Sequence, residues 1–162
     1  MSNRLVPQAT LIEEYLRVLS ETPAALKRLA EPFDEDGLAS SPDPKSWSAV
    51  DVLAHLRACS DVWTFSIMAM LAEDEPSLAF IDPRRWARVA GYAHLPFRPS
   101  LQAFGASRAG LLTALTDQTL ETWGRRCTIG GRAHSVYSQV RRMAKHEKEH
   151  QVQIAQLLDS AD

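Results

Sequence analysis

A chain of 162 residues with 45% hydrophobic and 23% charged side chains has globular composition and enough length to bury a core, which excludes a disordered or collagen-like chain. A formal net charge of −2 lacks the basic excess that a phosphate backbone attracts, so no nucleic-acid partner is expected. Two cysteines, Cys59 and Cys127, are too few for a disulfide scaffold, lie too far apart for a Cys-x-x-Cys motif, and fit a reducing compartment.

The N-terminal stretch has no apolar signal region, and no run reaches the roughly 18 apolar residues of a membrane span. A cytoplasmic protein with no membrane association is expected, with residues 1–162 forming one domain. The first helix is expected to start at Thr10, where Thr10 and Glu13 have the spacing of a capping box. Leu11, Tyr15, Val18 and Leu19 continue it as a stripe. Thr22-Pro23 then reads as a restart signal, so this helix is kinked or split before ending near Ala30. Residues 31–45, rich in Pro, Asp and Gly, read as a linker.

A second helix is predicted from Ser48, capped by Asp51, through Val52, His55, Trp63, Ile67 and Leu71. Residues 73–99 form a long connection carrying Phe80, Trp86, Tyr92 and Phe97, with a short helix near 82–90. A connection this long commonly lines a site or a partner surface. The third helix is predicted from Ser100, with a stripe of Leu101, Phe104, Arg108, Leu111 and Leu115. Short extended pieces around a Gly130-Gly131 turn follow, and a fourth helix runs from Ser135 to about Leu158. Four long helices with one long crossover between the second and third make an all-α four-helix bundle the economical architecture.

The chemistry concentrates in the histidines. His146 and His150 are four apart on a helix, so they share a face and can hold one metal from adjacent turns. They lie on a stripe with Val136, Met143, Gln153 and Leu157, which turns them toward the bundle, where imidazoles need partners. His55, on the second helix, is the natural third ligand. Three neutral imidazoles leave an open position for water or substrate and suit Zn²⁺, Ni²⁺, Fe²⁺ or Mn²⁺. Taken singly, each histidine also reads as an ordinary core or surface residue.

Residues 146–150 also spell His-Glu-x-x-His, the zinc-protease motif. Charged Lys148 and Glu149 at its centre, no downstream His or Glu ligand and little strand signal argue against a protease. Glu147 reads as an outward residue or a partner of a histidine. Cys59, one turn beyond His55, reads as a packed thiol that could approach the metal. Cys127, in a loop beside Arg125 and Arg126 whose charge would favour its thiolate, reads as a surface thiol. His94 reads as a surface residue.

The stretch Trp47–Leu56, with its Trp-Ser and His-Leu elements, the Arg108-x-x-Leu111-Leu112 pattern and His146-x-x-x-His150-x-x-Gln153-Ile154 together resemble the signature of the DinB/YfiT-like superfamily over nearly the whole chain. Asp51 stands where Glu is commoner. The resemblance implies an up-down-down-up bundle, often dimeric, and a divalent metal held by His55, His146 and His150. Members with known activity include thiol S-transferases acting with bacillithiol or glutathione and a mycothiol-dependent maleylpyruvate isomerase. The expectation is therefore a metal-dependent transferase or isomerase acting on a small molecule, with a low-molecular-weight thiol as cosubstrate. A metal-dependent hydrolase is one alternative, and a non-catalytic metal- or ligand-binding stress-response bundle is the other. Trp63, Arg108 and His134 are candidates for binding substrate. Arg108 could hold a carboxylate, although an ion pair with a core-edge Asp or Glu is the favoured reading.

Overall fold

A computed structural model describes residues 6–160. Four long helices dominate it: α1 (Ala9–Ala30), α3 (Ala49–Ala72), α5 (Phe97–Leu115) and α7 (Val136–Asp159). Between them lie α2 (Glu35–Ala39), strand β1 (Ser77–Leu78), α4 (Pro83–Ala90), a 3₁₀ turn (Tyr92–His94), α6 (Leu120–Trp123), and strands β2 (Arg126–Ile129) and β3 (Arg132–Ser135). α1 and α3 each pack against α5 and α7, so sequential partners stand across the diagonal.

Contacts at the two ends set the helix directions. Arg98, at the start of α5, donates to the Ala30 and Phe33 carbonyls at the end of α1. Arg125, beyond α5, donates to the Met70 carbonyl at the end of α3. Thus α3 and α5 run parallel while α1 and α7 run the other way, which is the up-down-down-up order. No helix among the described residues is long and apolar enough to cross a membrane.

Local chemistry accounts for most boundaries. Ser48 and Asp51 form the expected capping box at the start of α3. Ser135 caps α7 with Ser138. Gly130 and Gly131 both have positive φ, at +54° and +80°, which a two-residue hairpin turn requires. The hairpin joins antiparallel β2 and β3, and β1 adds to β2 in parallel. This small sheet closes one end of the bundle and goes beyond the short extended pieces expected there.

Three boundaries differ from expectation. The Thr10–Glu13 capping box is not formed, because α1 already begins at Ala9 with Gln8 as its uncapped start. Pro23 neither splits nor ends α1. Its missing N–H leaves the Leu19 carbonyl without a helical donor, and the buried Arg108 guanidinium supplies one at 3.1 Å. Finally, α5 starts at Phe97 rather than Ser100, because the Glu35 carboxylate accepts from the Phe97 and Arg98 backbone N–H groups at 2.6 and 3.2 Å.

The apolar core falls into two clusters. One includes Leu19, Ile67, Leu111 and Met143, and the other Leu26, Leu53, Phe104 and Ile154. Along each long helix the residues switch clusters at one level. At that level lie His55 and Ser60 of α3, Arg108 of α5, and His146, Glu147 and His150 of α7. A polar layer therefore crosses the bundle between two apolar halves.

Candidate metal centre

The three histidines, one from α3 and two from successive turns of the adjacent α7, converge through their Nε2 atoms. Nε2 of His146 lies 3.1 Å from that of His55 and 3.0 Å from that of His150. His150 Nδ1 lies 2.6 Å from Gln153 Oε1, one turn further along α7. An amide oxygen only accepts, so Nδ1 carries the proton and the His150 Nε2 lone pair faces the cluster. Burial, then the neighbouring His150 and the Arg84 charge, push the His55 pKa down to about 4. Burial, then His150, His55 and Arg142, push His146 down to about 3.

Imidazoles aimed at one point through Nε2, with His55 and His146 held neutral at pH 7 by burial, have too few protons to satisfy one another. A cation satisfies all three lone pairs at once. Metal–nitrogen bonds of about 2.0–2.1 Å place two ligands of one ion up to about 4 Å apart, and the observed spacings fall inside that span. The donor set thus fits a divalent ion, and the cluster can coordinate one. His146 Nδ1 is buried without a hydrogen-bond partner.

Aromatic rings brace the cluster. Trp63 meets the His146 ring edge-on, with centroids 4.9 Å apart. Trp47 packs against His55 at 5.3 Å. Cys59 is buried, with Sγ 3.6 Å from His55 Nε2 and 3.9 Å from His146 Nε2. Burial pushes its thiol up to about 12, which favours the packed, protonated thiol.

His55 opens onto a cavity of about 570 Å³ between α3 and the α4 segment. Trp47, Arg84, Arg88 and His94 border it. The long connection therefore does shape the mouth, through α4 and the 3₁₀ turn. His94, read from sequence as a plain surface residue, is exposed but belongs to this rim.

The structure places the other candidate residues. Arg108 is 1% exposed and forms a two-pronged ion pair with Glu147, also 1% exposed, which is the ion-pair reading that the sequence favoured. Ser60 Oγ accepts a further bond from it at 3.3 Å. Glu147 is accordingly neither outward nor bonded to a histidine, because one residue along a helix turns the side chain about 100° from the His146 face. Trp63 is a wall behind His146, with the Arg142 guanidinium 4.7 Å from its ring centre. His134 is half-buried on β3 opposite Cys127, with its pKa lowered by burial and then by Arg142 and Arg132. Cys127 is buried rather than on the surface, and burial raises its thiol pKa. Sequence reasoning missed Arg84, Arg88 and Arg142 as neighbours of the site; the signal for the first two was an arginine-rich stretch in a long connection, and for Arg142 its place one turn before His146 on α7.

The sequence profile of the DinB superfamily matches residues 19–154. A protein of Geobacillus thermodenitrificans named "Putative metal-dependent hydrolase" is 25% identical over 148 residues, covering 90% of this chain and 83% of that one. The solved structure of YfiT from Bacillus subtilis, described as "a probable metal-dependent hydrolase with an unusual four-helix bundle topology", superposes with a TM-score of 0.85 at 17% identity, covering 99% of this chain and 93% of that one.

Proposed function

This chain belongs to the DinB superfamily, and from that premise we propose that it is a metal-dependent enzyme of hydrolytic type. The observation that carries this reading is the convergence of three Nε2 atoms beside a cavity of about 570 Å³. His55, His146 and His150 would hold the ion. A divalent ion there supplies Lewis acidity, which polarises a substrate and makes water a usable nucleophile near neutral pH. The remaining parts belong to the chain itself. Gln153 holds the His150 ring by accepting its Nδ1–H. Trp47 and Trp63 pack against the His55 and His146 rings and limit their rotation. The cavity admits a small molecule along the His55 side.

Hydrolysis is favoured over thiol transfer because the matched relatives are named as hydrolases, whereas the thiol rests on the family resemblance alone. The test joins metal content with turnover. Wild-type protein and a His55→Ala/His146→Ala/His150→Ala variant are loaded with Zn²⁺, Ni²⁺ or Mn²⁺ and assayed by elemental mass spectrometry. Both are then screened on ester, amide and phosphoester substrates, with and without a low-molecular-weight thiol. About one ion per chain in the wild type alone, with hydrolysis that chelation abolishes, is the expected result. No bound ion in the wild type, or hydrolysis that survives in the variant, overturns the reading. Turnover only with thiol consumption replaces it with transfer.

A further inference from the structure

The cavity beside His55 has a charge that the metal reading does not use. Arg84, Ala87 and Arg88 border it, with Gly91 at the C-terminal cap of α4, and the three- and four-residue spacing of the first three is one stripe of α4. Among the described residues, no ion pair or side-chain hydrogen bond engages either guanidinium. Both acids on the rim are committed to helix caps. Asp51 accepts from the Ser48 backbone N–H and hydroxyl, and Asp82 accepts from the Arg84 backbone N–H. The formal charges of the rim balance, but the carboxylates already accept at helix starts, so the side-chain donors left unengaged there are the two guanidinium groups.

The stripe is also held in place. Trp86 Nε1 and the Tyr92 hydroxyl, on either side of it, both donate to Asp61 of α3, at 3.1 and 2.6 Å. Arg57 lies over the Tyr92 ring, 3.9 Å from its centre. Two forked donors one helical turn apart thus stand on a docked platform, and the Arg84 charge is close enough to weigh on the His55 ring.

We infer that the substrate carries an oxyanion group, a carboxylate or a phosphate, which Arg84 and Arg88 bind while its reacting bond lies toward His55. Guanidinium groups match such oxyanions with paired N–H donors. The word substrate rests on the enzymatic reading above, but the anion contact itself does not require the ion. It assigns the cavity a ligand class and α4 a role in specificity.

The test is calorimetric titration of Zn²⁺-loaded protein with succinate and with inorganic phosphate, beside neutral succinamide. The wild type, Arg84→Gln/Arg88→Gln and Arg85→Gln are compared. Arg85 lies on the same helix but off the cavity stripe, so it controls for the loss of a guanidinium charge from α4. The expected result is anion binding in the wild type and in Arg85→Gln, weakened about tenfold or more in the double variant, with metal content unchanged and no succinamide binding. Binding of either anion supports the inference, and preference for one identifies the group. Equal binding by the double variant, equal weakening by Arg85→Gln, or no anion binding by the wild type overturns it. The same titration on the three-histidine variant separates the two readings. Anion binding that survives there upholds the arginine site whatever the metal result. Binding that needs the histidines but not the arginines places the anion at the ion and overturns the arginine site.

Discussion

Glu147 stands between His146 and His150 in a string that spells a zinc-protease motif, yet its side chain works in the core. It neutralises Arg108, and Arg108 in turn supplies the donor that Pro23 withholds from Leu19. All four long helices are tied through one guanidinium. Removing one partner of a buried pair leaves the other charge without compensation, so Glu147→Gln is expected to lower unfolding free energy by about 3–5 kcal/mol. The double variant Arg108→Met/Glu147→Leu should lose much less than the two single losses combined. Urea unfolding of wild type, Glu147→Gln, Arg108→Met, Glu147→Leu and the double variant measures this; a Glu147→Gln protein as stable as wild type would show that the pair is not a structural tie. The chain order His-Glu-x-x-His is readable without a structure, but the partner of Glu147 lies 39 residues away, beyond what a local pattern reports.

At the scale of elements, the same division appears at helix ends. α3 and α7 begin where the sequence places them, because Ser48 and Ser135 find their capping partners three residues on. α5 begins earlier than expected because its cap comes from another helix. Glu35 receives its first two N–H groups and also pairs with Arg98 at 3.2 Å. The Arg98 and Glu35 side chains are partly exposed, so the ion pair adds little and the backbone bonds carry the effect. Glu35→Ala should cost about 1–2 kcal/mol, as loss of a helix cap does, with the thermal midpoint lowered and the metal content of the loaded protein unchanged. A midpoint equal to wild type would mean that water caps α5 equally well.

For the whole molecule, the polar layer is what distinguishes this bundle from a purely apolar one. Its histidines make stability depend on pH when no ion is bound. Unfolded His55 and His146 take up protons at their ordinary value of 6.5, whereas the folded protein refuses them until about 4 and about 3. The unfolded state therefore binds more protons throughout that window. Their contribution is intact above pH 6.5 and falls away as the pH drops from there toward 4. Chelated protein should show a lower urea midpoint at about pH 5 than at about pH 7.5. The shift should shrink in His55→Gln/His146→Gln, which separates it from carboxylate effects. An equal shift in that variant would assign the acid sensitivity elsewhere.

The sequence by itself determined the four long helices, the capped starts of α3 and α7, the Gly130-Gly131 turn and the grouping of His146 with His150, because each is a matter of backbone hydrogen bonding and side-chain spacing within a few turns. It also marked His55 as their companion through apolar periodicity and family resemblance, and the structure brings the three Nε2 atoms together. Only the tertiary structure decided that Arg108 and Glu147 close on each other, that Glu35 caps α5, that Cys127 is buried and that Arg84 and Arg88 overlook the cavity beside His55. Each of those depends on which groups meet across the bundle. Burial then makes the meeting compulsory, since a polar group removed from water needs a partner wherever the chain can supply one.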